Sequence, residues 1–508
     1  MTRPSFNVFL ANPAPAAERL GVSFMTPRAL PVLAAVTPAE FAGELRAVDQ
    51  AIEEFPFDDL KTGDLVGISI HTINAIHGYN LAKKARARGA SVVFGGPHAS
   101  IFPNEALRYG DAVVTGDAEA EWPNLLRDFS AGRLKQVYQG GRIAADRFVP
   151  ARWDVLKLDR YLIATIQTVR GCPKQCSFCS VWVQDGRVPR VRANDAILAE
   201  LHSLYRAGFR LVFFADDNFY PHTRADIEAS RTPEARRTIE EGREERLELL
   251  HRLATELPPD MHFCTQITME VADDPEFMAA MKRGRIEGAL IGIETITEAG
   301  LKATNKPFNA TGAELVRKLE TIRTQGFSYI MGAFIFGLES DTSESLAETI
   351  RFSRDCGLAL AQFVPMTPLP GTVDFQLMRR GKKALTMIKP DYDYWLDPQH
   401  PRILYQHPHL DATQILEPVE RAWRSFYSAP AIVKRARQLG LLRDPRKFLA
   451  YFAVCKGLLT RYRRYGLSAD SAVSGTNRKV ARLLGRLAIS AMKRKPLAAG
   501  QSPSFRQA

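Results

Sequence analysis

The sequence predicts an α/β protein in which a doubly wound, Rossmann-like N-terminal domain precedes a partial (β/α)6 barrel and a helical C-terminal domain. Two separate series of short apolar runs alternate with amphipathic segments, which is the pattern of strands followed by helices. The chain from Arg421 onward is instead basic and mixes aromatic and aliphatic residues with Lys and Arg. A length of 508 residues allows about three domains. We expect them at residues 1–145, 146–385 and 386–508.

The first series of strands predicts a ligand site at one edge of a parallel sheet. Its strand segments are NVFLAN, a linker rich in Pro and Ala, then DLVGISIHT, SVVFGGPHAS and DAVVTG. Sheets of this kind bind ligands at the carboxyl ends of their strands. The residues expected at those ends are Ser69, His71, Gly95, Gly96 and Gly116. The glycines would let the backbone approach a bulky cofactor closely.

The second series predicts the barrel, with strands near 161–170, 210–221, 261–272, 288–295, 328–338 and 360–372. In such barrels the catalytic groups lie at the carboxyl ends of the strands. The polar residues expected there are Asp216, Asp217, Asn218, Gln266 and Glu294.

The first barrel strand leads into RGCPKQCSFCS, where Cys172, Cys176 and Cys179 lie within eight residues. The spacing supplies three thiolates, whereas a structural zinc site closes with a fourth ligand and an electron-transfer cluster normally takes four cysteines. Three thiolates suit a four-iron cluster whose last iron stays open. A zinc site would need a distant ligand, because no histidine lies between His98 and His202. The isolated cysteines, at 264, 356 and 455, are expected to be inert.

This motif resembles that of the radical S-adenosylmethionine (SAM) enzymes, including the aromatic Phe178 before the third cysteine. The resemblance implies a 4Fe-4S cluster on the three cysteines and SAM on the open iron. It also implies a role in SAM binding for six residues: the backbone beside Phe178 at the adenine, Asp216, Asp217 and Asn218 at the amino group, Gln266 at the ribose, and Glu294 near the adenosine.

The N-terminal segment resembles the cobalamin-binding domain of the class B radical SAM enzymes. Ser69-x-His71 stands at its Ser-x-Leu element and Gly95-Gly96 at its Gly-Gly turn, with Gly116 after the next strand. The Asp-x-His-x-x-Gly element is absent, since the chain reads NPAPAAERLG after the first strand. A bound cobalamin would therefore lack a lower histidine ligand from that element. A flavodoxin-like domain without a cofactor would show the same strand pattern.

The combined resemblance implies a methyltransferase in which methylcobalamin delivers a methyl group to an unactivated carbon. The stretches FADDNFYP, TQITMEVADDPEF, LPGTVDF and YGLSADSA are similar to the hopanoid C-3 methylase family, which implies a lipid substrate. The alternatives are a cobalamin-dependent radical SAM enzyme on another substrate, such as a tetrapyrrole cyclase or a natural-product methylase, and a non-catalytic iron–sulfur sensor. An enzyme of this kind needs an electron donor such as flavodoxin or ferredoxin.

The positive charge is concentrated in the C-terminal region. From Arg421 to the end there are 20 Lys and Arg against two acids, Asp444 and Asp470, so the remainder of the chain is mildly acidic. Basic, amphipathic helices suit an anionic membrane surface. Nucleic acid is the less favoured partner, and an ordinary basic packing domain is the third possibility. With no signal peptide or membrane span evident, we expect a cytoplasmic protein, peripheral at most on the inner face of the cell membrane.

Overall fold

A computed structural model describes residues 6–15, 18–41, 43–397, 399–462 and 475–494. The stretch YGLSADSA lies outside the described residues. The strands are β1 (Val8–Asn12), β2 (Ser23–Met25), β3 (Leu45–Asp49), β4 (Leu65–Ser69), β5 (Ser91–Gly95), β6 (Ala112–Gly116), β7 (Val137–Gly141), β8 (Tyr161–Ile166), β9 (Val169–Arg170), β10 (Arg190–Val191), β11 (Leu211–Phe214), β12 (His262–Ile267), β13 (Ile286–Glu294), β14 (Tyr329–Phe336), β15 (Leu360–Pro365), β16 (Thr386–Met387) and β17 (Tyr405–Gln406).

The α-helices alternate with these strands through both sheets and then follow one another in the C-terminal region. They are α1 (Ala29–Ala35), α2 (Ala75–Arg86), α3 (Pro97–Ile101), α4 (Pro103–Ala106), α5 (Trp122–Ser130), α6 (Val181–Gln184), α7 (Asn194–Arg206), α8 (Arg224–Glu228), α9 (Pro233–Glu256), α10 (Pro275–Arg283), α11 (Glu298–Ala303), α12 (Gly312–Thr321), α13 (Ser343–Asp355), α14 (Val373–Arg379), α15 (Ala412–Phe426), α16 (Ala429–Gln438), α17 (Pro445–Tyr462) and α18 (Gly475–Met492).

The first sheet is parallel, with the strand order β3-β1-β4-β5-β6-β7. The chain moves outward from β1 in one direction to β3 and in the other through β4 to β7, which is the doubly wound arrangement. The four strands expected from the sequence are present, and β3 and β7 extend the sheet at its edges. Trp122 is buried against the sheet, and a side chain at Gly67 would meet both Trp122 and Leu10.

The second sheet is a curled, parallel half-barrel with the order β15-β14-β13-β12-β11-β8-β2. All six expected barrel strands are present. The seventh, β2, comes from the Pro- and Ala-rich segment that the sequence predicts to be a linker. It pairs Ser23 with Tyr161 and Met25 with Ile163 of β8. That segment therefore also forms part of the barrel sheet, so the linker expectation was wrong there.

The C-terminal helices cover the outside of the barrel. Trp423 on α15 donates a hydrogen bond from Nε1 to Phe363 O at 2.7 Å. Ala453 of α17 and Ala488 of α18 are buried with Leu162 and Ile163 of β8. The helical character expected for this region is confirmed, and the small hairpin β16–β17 precedes it. Among the described residues, no helix is both long and apolar enough to cross a membrane.

Candidate active site

The cysteine loop begins where β9 ends, and its first turn depends on Gly171. This residue has φ +93°, and a Cβ there would lie 2.9 Å from Val188 O. A side chain would therefore be strained as well as crowded. The Gly171 amide donates to Asp217 Oδ2 at 2.6 Å, and the Cys172 amide donates to Gly186 O at 3.0 Å. The loop is thus attached to the end of β11.

The three thiols lie in surroundings that disfavour their ionisation. Cys176 is buried, and Cys172 and Cys179 are partly buried. Burial raises the pKa of Cys172 to about 11 and of Cys176 to about 12, and it raises the pKa of Cys179 as well. The negative charge of Asp217 or Glu294 further raises the pKa of each thiol, and the charge of Cys179 further raises the pKa of Cys172 and Cys176. Thiolates form here when a cation such as a metal compensates the charge.

The loop is anchored from behind by residues that follow β13 and β15. The Ser177 amide donates to Thr304 O at 3.0 Å, and Ser177 Oγ donates to Asp374 Oδ2 at 3.1 Å. Asn305 Nδ2 donates to Gln175 O at 2.7 Å. In the described part of the chain, no three His, Cys, Asp or Glu side chains are preassembled around a position for one metal ion.

The three polar residues after β11 take different orientations. Asp216 is fully buried and accepts hydrogen bonds from the amides of Thr168 and Val169 and from the Thr168 hydroxyl. Burial raises its pKa, and the nearby Arg246 opposes that effect. Asp216 therefore joins β8 to β11, while Asp217 points to the cysteine loop. The Asn218 Oδ1 atom accepts from the Tyr220 amide at 3.1 Å.

Arg246 contacts two residues of the candidate site, a role that the sequence did not indicate. The stretch from Thr223 to Leu257 is dense in alternating charge, a pattern typical of a solvated helix, and most of α9 is exposed. Arg246, however, is only 1% exposed. Its NH1 atom donates to Thr168 Oγ1 at 2.9 Å, and NH2 lies 3.5 Å from Asp216 Oδ2. No local pattern distinguishes this arginine from its exposed neighbours.

Three buried polar atoms near the ends of β11 and β12 lack hydrogen-bond partners among the described residues. They are Asn218 Nδ2, Thr268 Oγ1 and Glu270 Oε2. Gln266 lies on β12, two residues before Thr268, and its Nε2 donates to Asp216 O at 2.5 Å. Buried polar atoms normally have partners, so this grouping fits a polar ligand such as the amino acid and ribose portions of SAM.

Glu294 lies at a bulge near the end of β13 and is paired with a buried lysine. Its backbone has φ +64°, and the register with β14 shifts between Gly292 and Glu294. Lys306 Nζ donates to Glu294 Oε1 at 2.7 Å and to Gly292 O at 2.8 Å. The same ammonium lies 6.0 Å from the centroid of the Phe178 ring. Lys306 therefore connects Glu294 to the cysteine loop, a role its sequence position did not reveal.

The predicted residues of the first sheet lie together at its carboxyl edge, because β4, β5 and β6 are adjacent. Gly96 has φ +90°, and a Cβ there would come 2.8 Å from Ile70 O. His71 is exposed to solvent, yet surrounding protein lowers its pKa, with His98 adding to the effect. This combination is typical of a side chain in an open recess. The remaining members are Ser69, Gly95 and Gly116.

The carboxyl edges of the two sheets face each other across a set of direct contacts. Arg170 NH1 donates to Asp117 Oδ1 at 2.8 Å, and NH2 donates to Glu119 at 2.5 Å. Arg190 NH1 donates to Asp117 Oδ2 at 2.7 Å. A side chain at Gly371, after β15, would touch Ile101 of α3. Loops at this junction also expose large apolar residues: Ile73 at 63%, Val188 at 75% and Leu369 at 37%.

The barrel carries the signature of a known family. The sequence profile of the Radical SAM superfamily matches residues 166–353, from the last residue of β8 into α13. The matched region contains all three cysteines of the loop and the polar strand ends described above.

Curated relatives include three methyltransferases. The bacteriochlorophyllide d C-12(1)-methyltransferase of Chlorobaculum tepidum is 27% identical over 74% of this chain and 77% of that protein. The hopanoid C-2 methylase of Rhodopseudomonas palustris is 28% identical over 68% of this chain and 64% of the relative. The hopanoid C-3 methylase of Methylococcus capsulatus is 32% identical over 30% of this chain and 34% of the relative. The chain thus spans less than two thirds of the length of either hopanoid methylase.

The whole fold is similar to that of a solved enzyme. The radical SAM methyltransferase TsrM from Kitasatospora setae, solved with cobalamin and a [4Fe-4S] cluster bound, aligns with 97% of this chain and 99% of its own. The TM-score is 0.61 at 16% identity. The two-sheet arrangement is therefore a shared fold. With a three-cysteine loop at the end of the first barrel strand and the profile matching residues 166–353, the barrel of this chain is a radical SAM domain.

Proposed function

We propose that this chain is a cobalamin-dependent radical SAM methyltransferase that adds a methyl group to an unactivated carbon, in a hopanoid at C-3. The observation that carries the proposal is the contact of Arg170 with Asp117 and Glu119. It brings the cysteine loop of one sheet against the carboxyl edge of the other. A radical generator and a methyl carrier would need that proximity, because both must reach the same substrate carbon.

Cys172, Cys176 and Cys179 would hold the 4Fe-4S cluster, and their chemistry fits the group. The three thiols are clustered by sequence and share one electrostatic environment. Three thiolates leave one iron open for SAM. Bound together, the cofactors supply a 5′-deoxyadenosyl radical for hydrogen abstraction and a cobalt-bound methyl group for transfer. The protein supplies position, charge compensation and exclusion of water.

The SAM-binding residues would surround the open iron from three strand ends. Asn218 and Thr268 offer buried polar atoms that have no partner in the described structure. Gln266 and Asp217 lie close to them in the chain, and the Phe178 ring lies 6.0 Å from the Lys306 ammonium that binds Glu294. Both Asp216 oxygens accept hydrogen bonds within the protein, so we assign Asp216 the role of positioning Thr168 and the strand end. Asp217 is the better candidate for direct contact.

Cobalamin would lie against Ser69, His71, Gly95, Gly96 and Gly116. The structure offers a cradle without side chains at Gly95, where an added Cβ would meet only Val114 O, at 3.8 Å. His71 stands open to solvent at the same edge. Gly95 and His71 thus leave room for a bulky cofactor at this edge. The segment after β1, NPAPAAERLG, contains no histidine and so would supply no imidazole to a bound cobalamin.

The hopanoid assignment is supported by two relatives that bear hopanoid methylase names and by large apolar residues exposed on loops near the strand ends. Ile73, Val188 and Leu369 expose aliphatic surface where a saturated polycyclic substrate would enter. Exposed apolar patches of this kind mark binding sites for apolar partners. A tetrapyrrole is the second candidate substrate, because the Chlorobaculum relative is a bacteriochlorophyllide methyltransferase.

A lipid substrate also supports peripheral contact with the inner face of the cell membrane. The outward face of α18 exposes Leu483 and Leu487 between the basic residues Lys479, Arg482 and Arg486. The helix contains no acidic residue. Basic residues that flank exposed leucines suit an anionic lipid surface. The remaining partner would be a flavodoxin or ferredoxin as electron donor.

The decisive experiment compares the lipids of a hopanoid-producing host supplied with cobalamin that expresses the wild-type chain or Cys176→Ala. Hopanoids heavier by one methyl group, identified as C-3 products against standards and present only with the wild type, are expected. Products methylated at C-2 would correct the position. Incubation of reconstituted protein with methyl-labelled SAM separates the alternatives: 5′-deoxyadenosine without transferred label indicates a cyclase, and no 5′-deoxyadenosine under strong reductant indicates a sensor.

A further inference from the structure

We propose that the surface where the cysteine loop reaches solvent is the docking site of an acidic one-electron carrier protein. This proposal rests on the proposed function, since a radical SAM cluster must be reduced before each cleavage of SAM. We define the donor surface as Gln175, Lys302, Asn305, Arg380 and Lys382. Its members come from the cysteine loop, from the end of α11 and the turn after it, and from the turn after α14.

The cysteine loop meets solvent at Gln175. This residue is exposed, while Cys176 and Ser177 after it are buried. Gln175 lies on the wall of a recess of about 220 Å³ that is completed by Pro173, Lys174, Asn305, Pro307 and Phe308. Asn305 is also exposed and donates to the Gln175 carbonyl at 2.7 Å. A partner seated here would lie directly over the loop that holds the cluster.

A short chain of hydrogen bonds links a basic surface segment to the same loop. Lys383 Nζ donates to Asp374 Oδ1 at 2.6 Å and to Ala303 O at 3.1 Å. The other oxygen of Asp374 accepts from Ser177 Oγ at 3.1 Å. Ser177 lies between two cluster cysteines. The segment that carries Arg380 and Lys382 is therefore connected to the cysteine loop through the buried carboxylate of Asp374.

The charge of the donor surface favours an acidic partner. Lys302, Arg380 and Lys382 are exposed, and the described structure gives none of them an ion pair. Lys383 is neutralised by Asp374, and Arg379 lies 3.5 Å from Asp391. Two exposed acids, Glu298 and Glu314, line the adjoining groove, and Glu314 is paired with Arg317. Basic surfaces of this kind attract acidic proteins and raise their association rates.

The transfer itself is a one-electron exchange. The reduced flavin or cluster of the carrier loses one electron and the oxidised 4Fe-4S cluster of this chain gains it, without bond formation or proton transfer. Nucleic acid is also acidic, but it carries no such electron. The position of the surface over the cysteine loop therefore favours a redox carrier.

The test measures reduction of the reconstituted holoenzyme by reduced flavodoxin in an anaerobic stopped-flow instrument. The variant Arg380→Glu/Lys382→Glu reverses two charges of the donor surface. Its control is Lys434→Glu/Arg437→Glu, which reverses two exposed charges on α16. We expect the donor-surface variant to lower the second-order rate constant about tenfold at low salt and less at high salt. The control variant should match the wild type.

Reduction by dithionite at high ionic strength keeps the proposal separable from the proposed function. Both variants should then yield 5′-deoxyadenosine at the wild-type rate. Equal slowing by both double variants with flavodoxin, or no slowing by either, would overturn the donor surface. Failure of the wild type to form 5′-deoxyadenosine with dithionite would instead refute the proposed function. One further result would overturn the donor surface. In it, a DNA oligonucleotide prevents flavodoxin from binding, while the charge reversals at Arg380 and Lys382 leave the rate of reduction unchanged.

Discussion

Arg170 and Asp117 are joined by a 2.8 Å hydrogen bond that connects the two sheets of the molecule. Arg170 stands two residues before the first cysteine of the loop, and Asp117 directly follows β6 of the doubly wound sheet. Both side chains are 11% exposed, and the other guanidinium nitrogen binds Glu119. The Phe148 ring lies 4.3 Å from the guanidinium. Arg170, with Arg190 on the same aspartate, therefore holds the cysteine loop against the first sheet.

Replacing Arg170 with Met should destabilise the apoprotein by about 3–5 kcal/mol, because it leaves the buried Glu119 carboxylate without its arginine and removes one of the two arginines that bind Asp117. Urea unfolding measures this change. Arg152→Met is the matched control, since Arg152 pairs with Asp154 at the surface, where both side chains are largely exposed. The control should cost about 0–1 kcal/mol. Equal effects of the two substitutions would show that the Arg170 contacts add nothing to stability.

The same variant should separate the two half-reactions. Formation of 5′-deoxyadenosine depends on the cysteine loop and SAM, whereas methyl transfer also requires the first sheet to be correctly positioned against the cysteine loop. We expect Arg170→Met to retain more of its 5′-deoxyadenosine formation than of its methyl transfer, compared as fractions of wild type with labelled SAM. A proportional loss of both activities would contradict a role in coupling the sheets.

Lys306 and Glu294 form the second buried pair of the site, at 2.7 Å. We expect Lys306→Met and Glu294→Gln each to cost about 3 kcal/mol of unfolding free energy, since each leaves one charged partner buried. The double variant should cost less than the sum of the singles, because no unpaired charge remains. Urea unfolding of all four proteins measures this coupling. Additive costs would mean that the two side chains act independently.

The strands and the cysteine loop could be predicted from sequence because their signals are local. A buried parallel strand reads as a continuous apolar run, and three cysteines within eight residues identify themselves. Asp217, Asn218, Gln266 and Glu294 are expected at one edge because each stands at the end of a parallel strand, and the strands concerned, β11, β12 and β13, are neighbours in the sheet.

The features that the sequence did not reveal depend on contacts between distant segments. Strand β2 has only three residues and becomes a strand by pairing with β8, 138 positions along the chain from Ser23 to Tyr161. Arg246 looks like any arginine of a charged helix until Asp216 and Thr168 are brought beside it. Lys306 likewise gains meaning only from the bulge at Glu294. Such pairings have no periodicity that a sequence pattern could display.

Asp217 should give the apoprotein a specific dependence of stability on pH. Burial raises its pKa from 3.8 in the unfolded chain to about 7, and Asp185 adds to the shift. The folded state therefore holds the proton more tightly, so stability is greatest below about pH 4 and falls as the pH rises towards 7. The slope is at most about 1.4 kcal/mol per pH unit.

Asp217→Asn keeps an oxygen that can accept from the Gly171 amide but cannot ionise. The wild type should lose stability relative to this variant between pH 4 and pH 7 and then remain parallel to it at higher pH. Urea unfolding of both apoproteins across this range makes the comparison. A constant difference in free energy at every pH would rule out titration of Asp217 as its cause.

Cys176→Ala should abolish cluster assembly and 5′-deoxyadenosine formation while leaving the fold intact. The expected result is loss of the iron–sulfur absorption bands with an unchanged circular dichroism spectrum. Cys356→Ala is the control, because Cys356 caps α13 away from the loop and burial raises its pKa to about 12. It should assemble the cluster normally. Retained activity in Cys176→Ala would remove the central assumption about the loop.

Membrane contact should depend on the outward face of α18. Leu484 and Ala488 pack towards the barrel with Leu162 and Ile163, so this apolar face is not available to lipid. Leu483 and Leu487, one turn apart, are 57% and 38% exposed. Their insertion into the headgroup region would remove apolar area from water and complement the attraction of the basic residues around them.

Leu483→Gln/Leu487→Gln should therefore weaken binding to vesicles of phosphatidylglycerol and phosphatidylcholine about thirtyfold, because each leucine contributes roughly 1 kcal/mol when partly inserted. Leu442→Gln/Leu449→Gln changes two equally exposed leucines near the start of α17 and should bind like the wild type. Co-sedimentation measures both. If both double variants bind more weakly, the whole basic region contacts the membrane. If the wild type does not bind, α17 and α18 only pack against the barrel. An effect confined to α18 would show that the enzyme contacts the membrane through this helix. Because α18 packs on β8, the first strand of the barrel, this contact would place the lipid substrate close to the barrel.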